Sequence, residues 1–210
     1  MRHHHIFESL AKPAGNISLP AFQSLRLYMH ALIIGTGQKL PPSMAEFDPV
    51  VDRMLSVVNL NDGDKIFVTI DQKHVTAGQS HRRPGPHVDG NYIFDWDGGG
   101  GNGWLTGTAG RVLSPENHKL QYCNPRGGMI IASDHKACRG WIGQFTGQPN
   151  QGGDCSHLQD QLDLAQQFWM DPNKIYVGNS TFIHESVAVA RSVDRTLVRI
   201  TLPPTFDYIS

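Results

Sequence analysis

The chain has little that is long and apolar. Its longest uninterrupted apolar runs, residues 31–34, 129–132 and 187–190, are four residues each, against the roughly 20 that a membrane-spanning helix needs. Cysteine is scarce too: Cys123, Cys138 and Cys155 are odd in number and form no CxxC pair, which argues against a disulfide scaffold and against a thiolate zinc site. No charge sign dominates, since 18 Lys and Arg stand against 19 Asp and Glu for a formal net charge of −1. No global field therefore draws the protein to nucleic acid or to an anionic membrane. The N-terminal stretch lacks an apolar core of the secretory type, so the reading expects a cytoplasmic protein; the run His3, His4, His5 is set aside from site reasoning.

Glycine and proline are plentiful, with 22 and 13 among 210 residues, and 39% of residues are hydrophobic. That composition suits one compact domain over residues 1–210, and the patterning divides it into a helical cover (1–60) and a β core (61–210). Pro20 opens a stretch in which Phe22, Leu25, Met29, Leu32 and Ile33 recur at helical spacing before Gly35, which predicts a first helix. Asp48 as N-cap, with Val51, Met54, Leu55 and Val58 on one stripe, predicts a second, and Leu158, Leu162, Ala165 and Trp169 predict a third over residues 156–169. From Lys65 the period changes to two, with Ile66, Val68 and Ile70 alternating with Phe67, Thr69 and Asp71. Further short strands are expected at 92–96, 129–133, 141–146, 174–177, 181–184 and 195–202. Many short strands with few helical crossovers favour a sandwich, barrel or jelly roll. The glycine-rich residues 98–103 lack the Lys-Ser/Thr ending of a phosphate loop and the helix of a dinucleotide fingerprint, and read as a hairpin connection.

Chemistry concentrates in two places. In His87-Val88-Asp89 the histidine and aspartate are two apart, and in an extended chain such residues point to one side, where they can share a metal ion. About one such tripeptide is expected by chance in this composition, so the pair alone says little. The second place adds to it: His184 closes a strand, and the next strand carries Arg195 and Arg199, 11 and 15 positions later. Two histidines and a carboxylate make the facial triad that suits non-haem Fe(II) and leaves three coordination positions open. On the later strand Arg195, Leu197, Arg199 and Thr201 share one face, and Val198, Ile200 and Leu202 the other. If the apolar face packs on helices, the arginines point inward.

His-x-Asp, a distal His and an Arg about ten residues beyond it resemble the pattern of the iron(II)- and 2-oxoglutarate-dependent oxygenases, at motif positions within residues 65–202. The resemblance implies a mainly β protein with some α: a double-stranded β-helix (jelly-roll, cupin-like) with the N-terminal helices packed on its sheet. It implies Fe(II) held by His87, Asp89 and His184, with no catalytic residue beyond these ligands. Arg195 would meet the distal carboxylate of the co-substrate 2-oxoglutarate through its guanidinium fork. Arg199 would be a second anion contact, and Asn91 and Tyr92 polar contacts to co-substrate. The implied activity is hydroxylation of a C–H bond, with O₂ consumed and succinate and CO₂ released, on a small-molecule or peptide substrate.

Other candidates are weighed beside these. Glu185 adjoins His184, and adjacent strand residues face opposite ways, so it is expected outside the metal shell. His118, His135 and His157 are rival ligands without arginines at both spacings. His81, Arg82 and Arg83 form a basic cluster that can steer an anion toward the site; Tyr92, Trp96, Trp104 and Trp141 are candidate pocket aromatics. Two other functions stay open: a cupin-like metalloenzyme that does not use 2-oxoglutarate, and a non-enzymatic jelly-roll binding or structural protein, which would keep His87 and His184 far apart.

Overall fold

The computed structural model describes residues 5–89, 121–123, 127–147, 149–150 and 153–208. The strands are β1 (His5–Ser9), β2 (Ala11–Asn16), β3 (Arg26–Ile33), β4 (Lys65–Val75), β5 (Gln121–Cys123), β6 (Gly128–Ser133), β7 (Cys138–Thr146), β8 (Gln166–Trp169), β9 (Lys174–Asn179), β10 (Ile183–Ser186) and β11 (Val193–Leu202). Helix α1 spans Asp48–Leu55 after a 3-10 turn (Pro42–Phe47), and α2 spans Gln159–Leu162 after a shorter one (Ser156–Leu158). Six strands form one sheet in the order β2-β9-β6-β11-β4-β3, and five form another, β10-β7-β1-β5 with β8 also on β7. Every ladder is antiparallel except β1 with β5.

The alternation read in β11 decides how the layers stack. Val198, Ile200 and Leu202 are wholly buried with Val50, Val51 and Met54 of α1 in one cluster, while Leu197 joins Met129, Ile131, Cys138, Tyr176 and Phe182 between the sheets. Each such apolar side chain contributes on the order of 1.5–3 kcal/mol of transfer free energy. The apolar face of β11 thus looks out at the helix, and Arg195 and Arg199 look into the space between the sheets. A third cluster, with Phe7, Val88, Trp141, Phe145, Leu158 and Ile183, closes the outer side of the smaller sheet.

The N-terminal region departs from the expected helical cover. Residues 5–33 hold three strands, and the first expected helix is a segment without regular structure followed by β3. Two features explain it. Buried Gln72 of β4 takes over the backbone bonding of residues 21–25: its Oε1 accepts from the N–H groups of Gln23 and Leu25 (2.9 and 3.2 Å), and its Nε2 donates to the Ala21 carbonyl (3.1 Å). A bulge then interrupts β3, so that Leu27, His30 and Leu32 pair with Ile70, Val68 and Ile66. Paired positions are therefore three and then two apart, a spacing that mimics a helix. Met29, with φ of 48°, sits in the left-handed region at this bulge.

The second helix forms where expected, with Asp48 as its first residue and not its cap; the Asp48 carboxylate instead accepts from the Leu40 N–H at 3.0 Å. The third is shorter than its periodicity suggests. Leu158 and Leu162 are buried as expected, but the chain leaves the helix after Leu162 and residues 166–169 become β8, paired with Arg139–Ile142 of β7. Strands appear at all the other expected places within the described residues. The strand expected at 92–96, the glycine-rich residues 98–103, and Asn91, Tyr92, Trp96, Trp104 and His118 lie outside them.

Candidate metal centre

The segment bearing His87 is pinned on both sides by backbone hydrogen bonds. His87 exchanges N–H···O bonds with His184 of β10 (3.0 and 2.9 Å), Val88 N–H donates to the Gly153 carbonyl (3.0 Å), and Cys155 N–H donates to that of Pro86 (2.8 Å). Residues 87 and 184, remote in sequence, are thereby direct cross-strand neighbours. Their rings lie 4.6 Å apart between centroids. Asp89 comes to the same point, and His87, Asp89 and His184 each offer one ligand atom within 4.8 Å of the other two. Among the described residues they form the one group of three or more such side chains close enough to hold an ion.

Each ligand is oriented by a second contact. His87 Nδ1 lies 2.7 Å from the Gly85 carbonyl oxygen, and His184 Nδ1 lies 3.0 Å from that of Phe182. A carbonyl only accepts, so both Nδ1 atoms carry the proton and both Nε2 atoms keep a lone pair. Burial, reinforced for His87 by the neighbouring His184, pushes both imidazoles below their usual range, to about 3 for His87. They are neutral ligands at physiological pH. Burial alone would raise the Asp89 carboxyl, but Arg199, His184 and His87 outweigh it and hold the group at about 2, ionised. Arg199 Nη1 donates to Asp89 Oδ2 at 2.6 Å while Oδ1 faces His184 Nε2 at 4.0 Å. One carboxylate oxygen is thus tied to the guanidinium and the other is turned to the histidines.

Two neutral imidazoles and one carboxylate suit a first-row divalent ion, Fe(II) included. Atoms bound to one such ion lie closer together than the 4.0 Å between His184 Nε2 and Asp89 Oδ1, so an ion would draw this set inward. His184 rests on Phe182, whose ring stacks against it at 5.4 Å. Phe182 in turn fills the space over Gly140 and Gly178, where a Cβ would collide with its ring. These contacts had no signal in the sequence beyond the glycines themselves.

The comparisons with known proteins are silent. No family model matches the chain, and neither a curated protein nor a solved structure gives a significant match. The site therefore stands on its own chemistry.

The remaining expected residues divide. Arg195 is wholly buried, as an inward arginine should be, and its partners are neutral: Ser133 Oγ (3.0 Å), Ser186 Oγ (3.3 Å) and Cys138 Sγ (3.0 Å). It sits behind Ser186 and Cys138, which line a cavity of about 300 Å³ that His87, Asp89 and His184 also border. Arg199 borders that cavity directly, bound to Asp89, its buried Nε without a partner among the described residues. Glu185 turns away from the ligands to an ion pair with Arg139. His135 pairs with Asp134, and His157 lies against Asn150. Trp141 is core, within the cluster outside the smaller sheet. Cys138 and Cys155 are buried free thiols, and burial raises Cys155 to about 12. His81, Arg82 and Arg83 do border the cavity, together with Asp71, Arg26 and Tyr28, three residues that no pattern in the sequence singles out. No helix among the described residues is long and apolar enough to cross a membrane.

Proposed function

We propose that this chain is an Fe(II)- and 2-oxoglutarate-dependent oxygenase with a double-stranded β-helix core, hydroxylating a C–H bond of a small molecule or peptide. The observation that carries the proposal is the convergence of His87, Asp89 and His184, each imidazole presenting an unprotonated Nε2 and the carboxylate ionised beside them. Bound there, the metal would supply the oxidising chemistry with O₂, 2-oxoglutarate leaving as succinate and CO₂ while a substrate C–H becomes C–OH.

The chain's own residues bind, orient and exclude water. The Gly85 and Phe182 carbonyls fix the tautomer and ring angle of the two histidines, and Arg199 fixes the carboxylate. Ile131 and Leu197 give the cavity an apolar wall that keeps water away from reactive species. Arg195 has no carboxylate partner among the described residues, although burying a cation without one is costly. An anion near Ser186 would offset that cost, and we assign this role to the distal carboxylate of 2-oxoglutarate.

A second reading, a cupin-like metalloenzyme that does not use 2-oxoglutarate, is favoured by one observation: Arg195 stands behind Ser186 and Cys138 and not at the cavity surface. Anaerobic titration separates the two. On the proposed reading, Fe(II) followed by 2-oxoglutarate gives the weak visible charge-transfer band of a chelated complex, lost in His87→Ala, Asp89→Ala and His184→Ala and needing more 2-oxoglutarate in Arg195→Gln. Iron retention without any band refutes the co-substrate and leaves the second reading. Failure to retain iron refutes both.

A further inference from the structure

The cavity next to the metal ligands has an excess of positive charge whose far side plays no part in holding the ion. Among the described residues, five arginine and lysine side chains border it against two carboxylates, Asp71 and Asp89, a surplus of three with the histidines neutral. Strand register explains the concentration. On the inner face of the larger sheet Lys73 is paired with Arg195, and Asp71 with both Leu197 and Arg26, so neighbouring rows carry cations toward the mouth. Arg26 and Arg82 share Asp71, at 2.9 and 3.1 Å, and are partly open to solvent; Lys73 has no ion pair among the described residues. Burial would raise the Asp71 carboxyl, but His81, Arg82 and Arg26 hold it well below the usual carboxylate range, so one negative charge serves two arginines.

Two independent features point to a ligand here. His81, whose side chain is fully buried, borders the cavity; among the described residues its Nδ1 has no partner, and its Nε2 has only Asp71 Oδ2, at 3.4 Å and out of hydrogen-bond alignment. A buried ring nitrogen without a partner is costly unless something binds it. The β3 bulge also sets Tyr28 at the rim, 57% exposed, with the Arg82 guanidinium 5.8 Å from its ring. Bulges beside sites commonly re-aim side chains in this way.

We propose that the mouth of this cavity is the substrate subsite and that it takes an anionic small molecule, whose carboxylate or phosphate group docks between Arg26, Lys73 and Arg82 with His81 beneath it. This deepens the oxygenase reading, and as a statement about substrate it rests on that reading. The anion binding itself needs no metal. A substrate gripped by its charged end at this rim would direct its remaining carbons toward His87 and His184.

The test is calorimetric titration of the metal-free 210-residue chain with inorganic phosphate, and in parallel acetate, at low ionic strength, where screening is weak. Binding of either anion is expected, weakened at least tenfold in the Arg26→Gln/Lys73→Gln double variant, the factor that one lost charge-assisted contact already brings. Lys73→Gln alone, which breaks no ion pair, should weaken binding measurably and so guards against loss through misfolding. Absence of binding, or affinity unchanged in the Lys73 and double variants, would overturn the proposal. Fe(II) retention, measured separately on the wild type, reports on the metal centre: its failure would sink the oxygenase reading while the phosphate result still decides the anion subsite.

Discussion

Replacing Arg199 by methionine tests the coupling between the charged interior and the metal ligands. Arg199 and Asp89 form a 2.6 Å pair with side chains only 8% and 14% exposed, so solvent screens it little. Removing one partner of such a pair leaves the other charge buried, a loss of about 3–5 kcal/mol. That is a large part of the 5–15 kcal/mol typical of a domain, but short of all of it. With a urea dependence of about 2–3 kcal/mol per molar, the midpoint should fall by about 1–2.5 M. The Asp89→Asn/Arg199→Met double variant should be less unstable than the two single changes summed, with a coupling of about 2 kcal/mol or more. Iron affinity of Arg199→Met should drop roughly 10- to 100-fold, because the carboxylate loses the group that orients it. Urea denaturation of the metal-free chain, followed by circular dichroism, gives the first two quantities and anaerobic titration the third. A midpoint within about 0.3 M of wild type, or additivity within about 0.5 kcal/mol, would refute the account of this pair.

Acid should destabilise the metal-free chain in a window set by the ligands. His87 is neutral when folded down to about 3 but takes up its proton near 6.5 when unfolded, so stability falls as pH drops through that interval, by roughly 5 kcal/mol at its full extent. The lowered Asp89 acts in the same direction below its ordinary value of 3.8; thermal unfolding that is flat between pH 7 and 4 would contradict the His87 account, and unfolding that is flat from pH 4 downward the Asp89 one. Fe(II) or Zn(II) at 100 times its dissociation constant should add about 2.7 kcal/mol, a rise of roughly 5–10 °C in Tm, and His184→Ala should abolish the rise. Gly178→Ala would place a Cβ 2.7 Å from Phe182 Cδ1. Overpacking of this kind costs about 1–3 kcal/mol and should also weaken iron binding through the ring stacked on His184, so a variant as stable and as tight-binding as wild type would show that this support is idle.

The parts of the structure legible in the sequence are those where one local pattern meets one environment. β11 has an apolar face on α1 and a polar face between the sheets, and its alternation gave the inward direction of Arg195 and Arg199. The His-x-Asp pair and the distal histidine were legible as residues, and their meeting point depends on the His87–His184 backbone bridge. Where long-range contacts replace local ones the reading turned. Gln72, some 50 residues away, satisfies the backbone that a helix over residues 20–34 would have satisfied internally, and the bulge at Met29 disguises β3 as helical spacing. The partner of Arg199 was equally hidden: an arginine read as an anion contact proves to be bound to the metal-site carboxylate, a pairing between positions 110 residues apart.

X-ray absorption at the iron edge of the anaerobically loaded chain tests the central claim most directly. The account predicts one iron per chain in a six-coordinate shell of nitrogen and oxygen with two imidazoles, one of which disappears in His184→Ala. Sulfur in the shell, an imidazole count unchanged by that substitution, or no retained iron would contradict it.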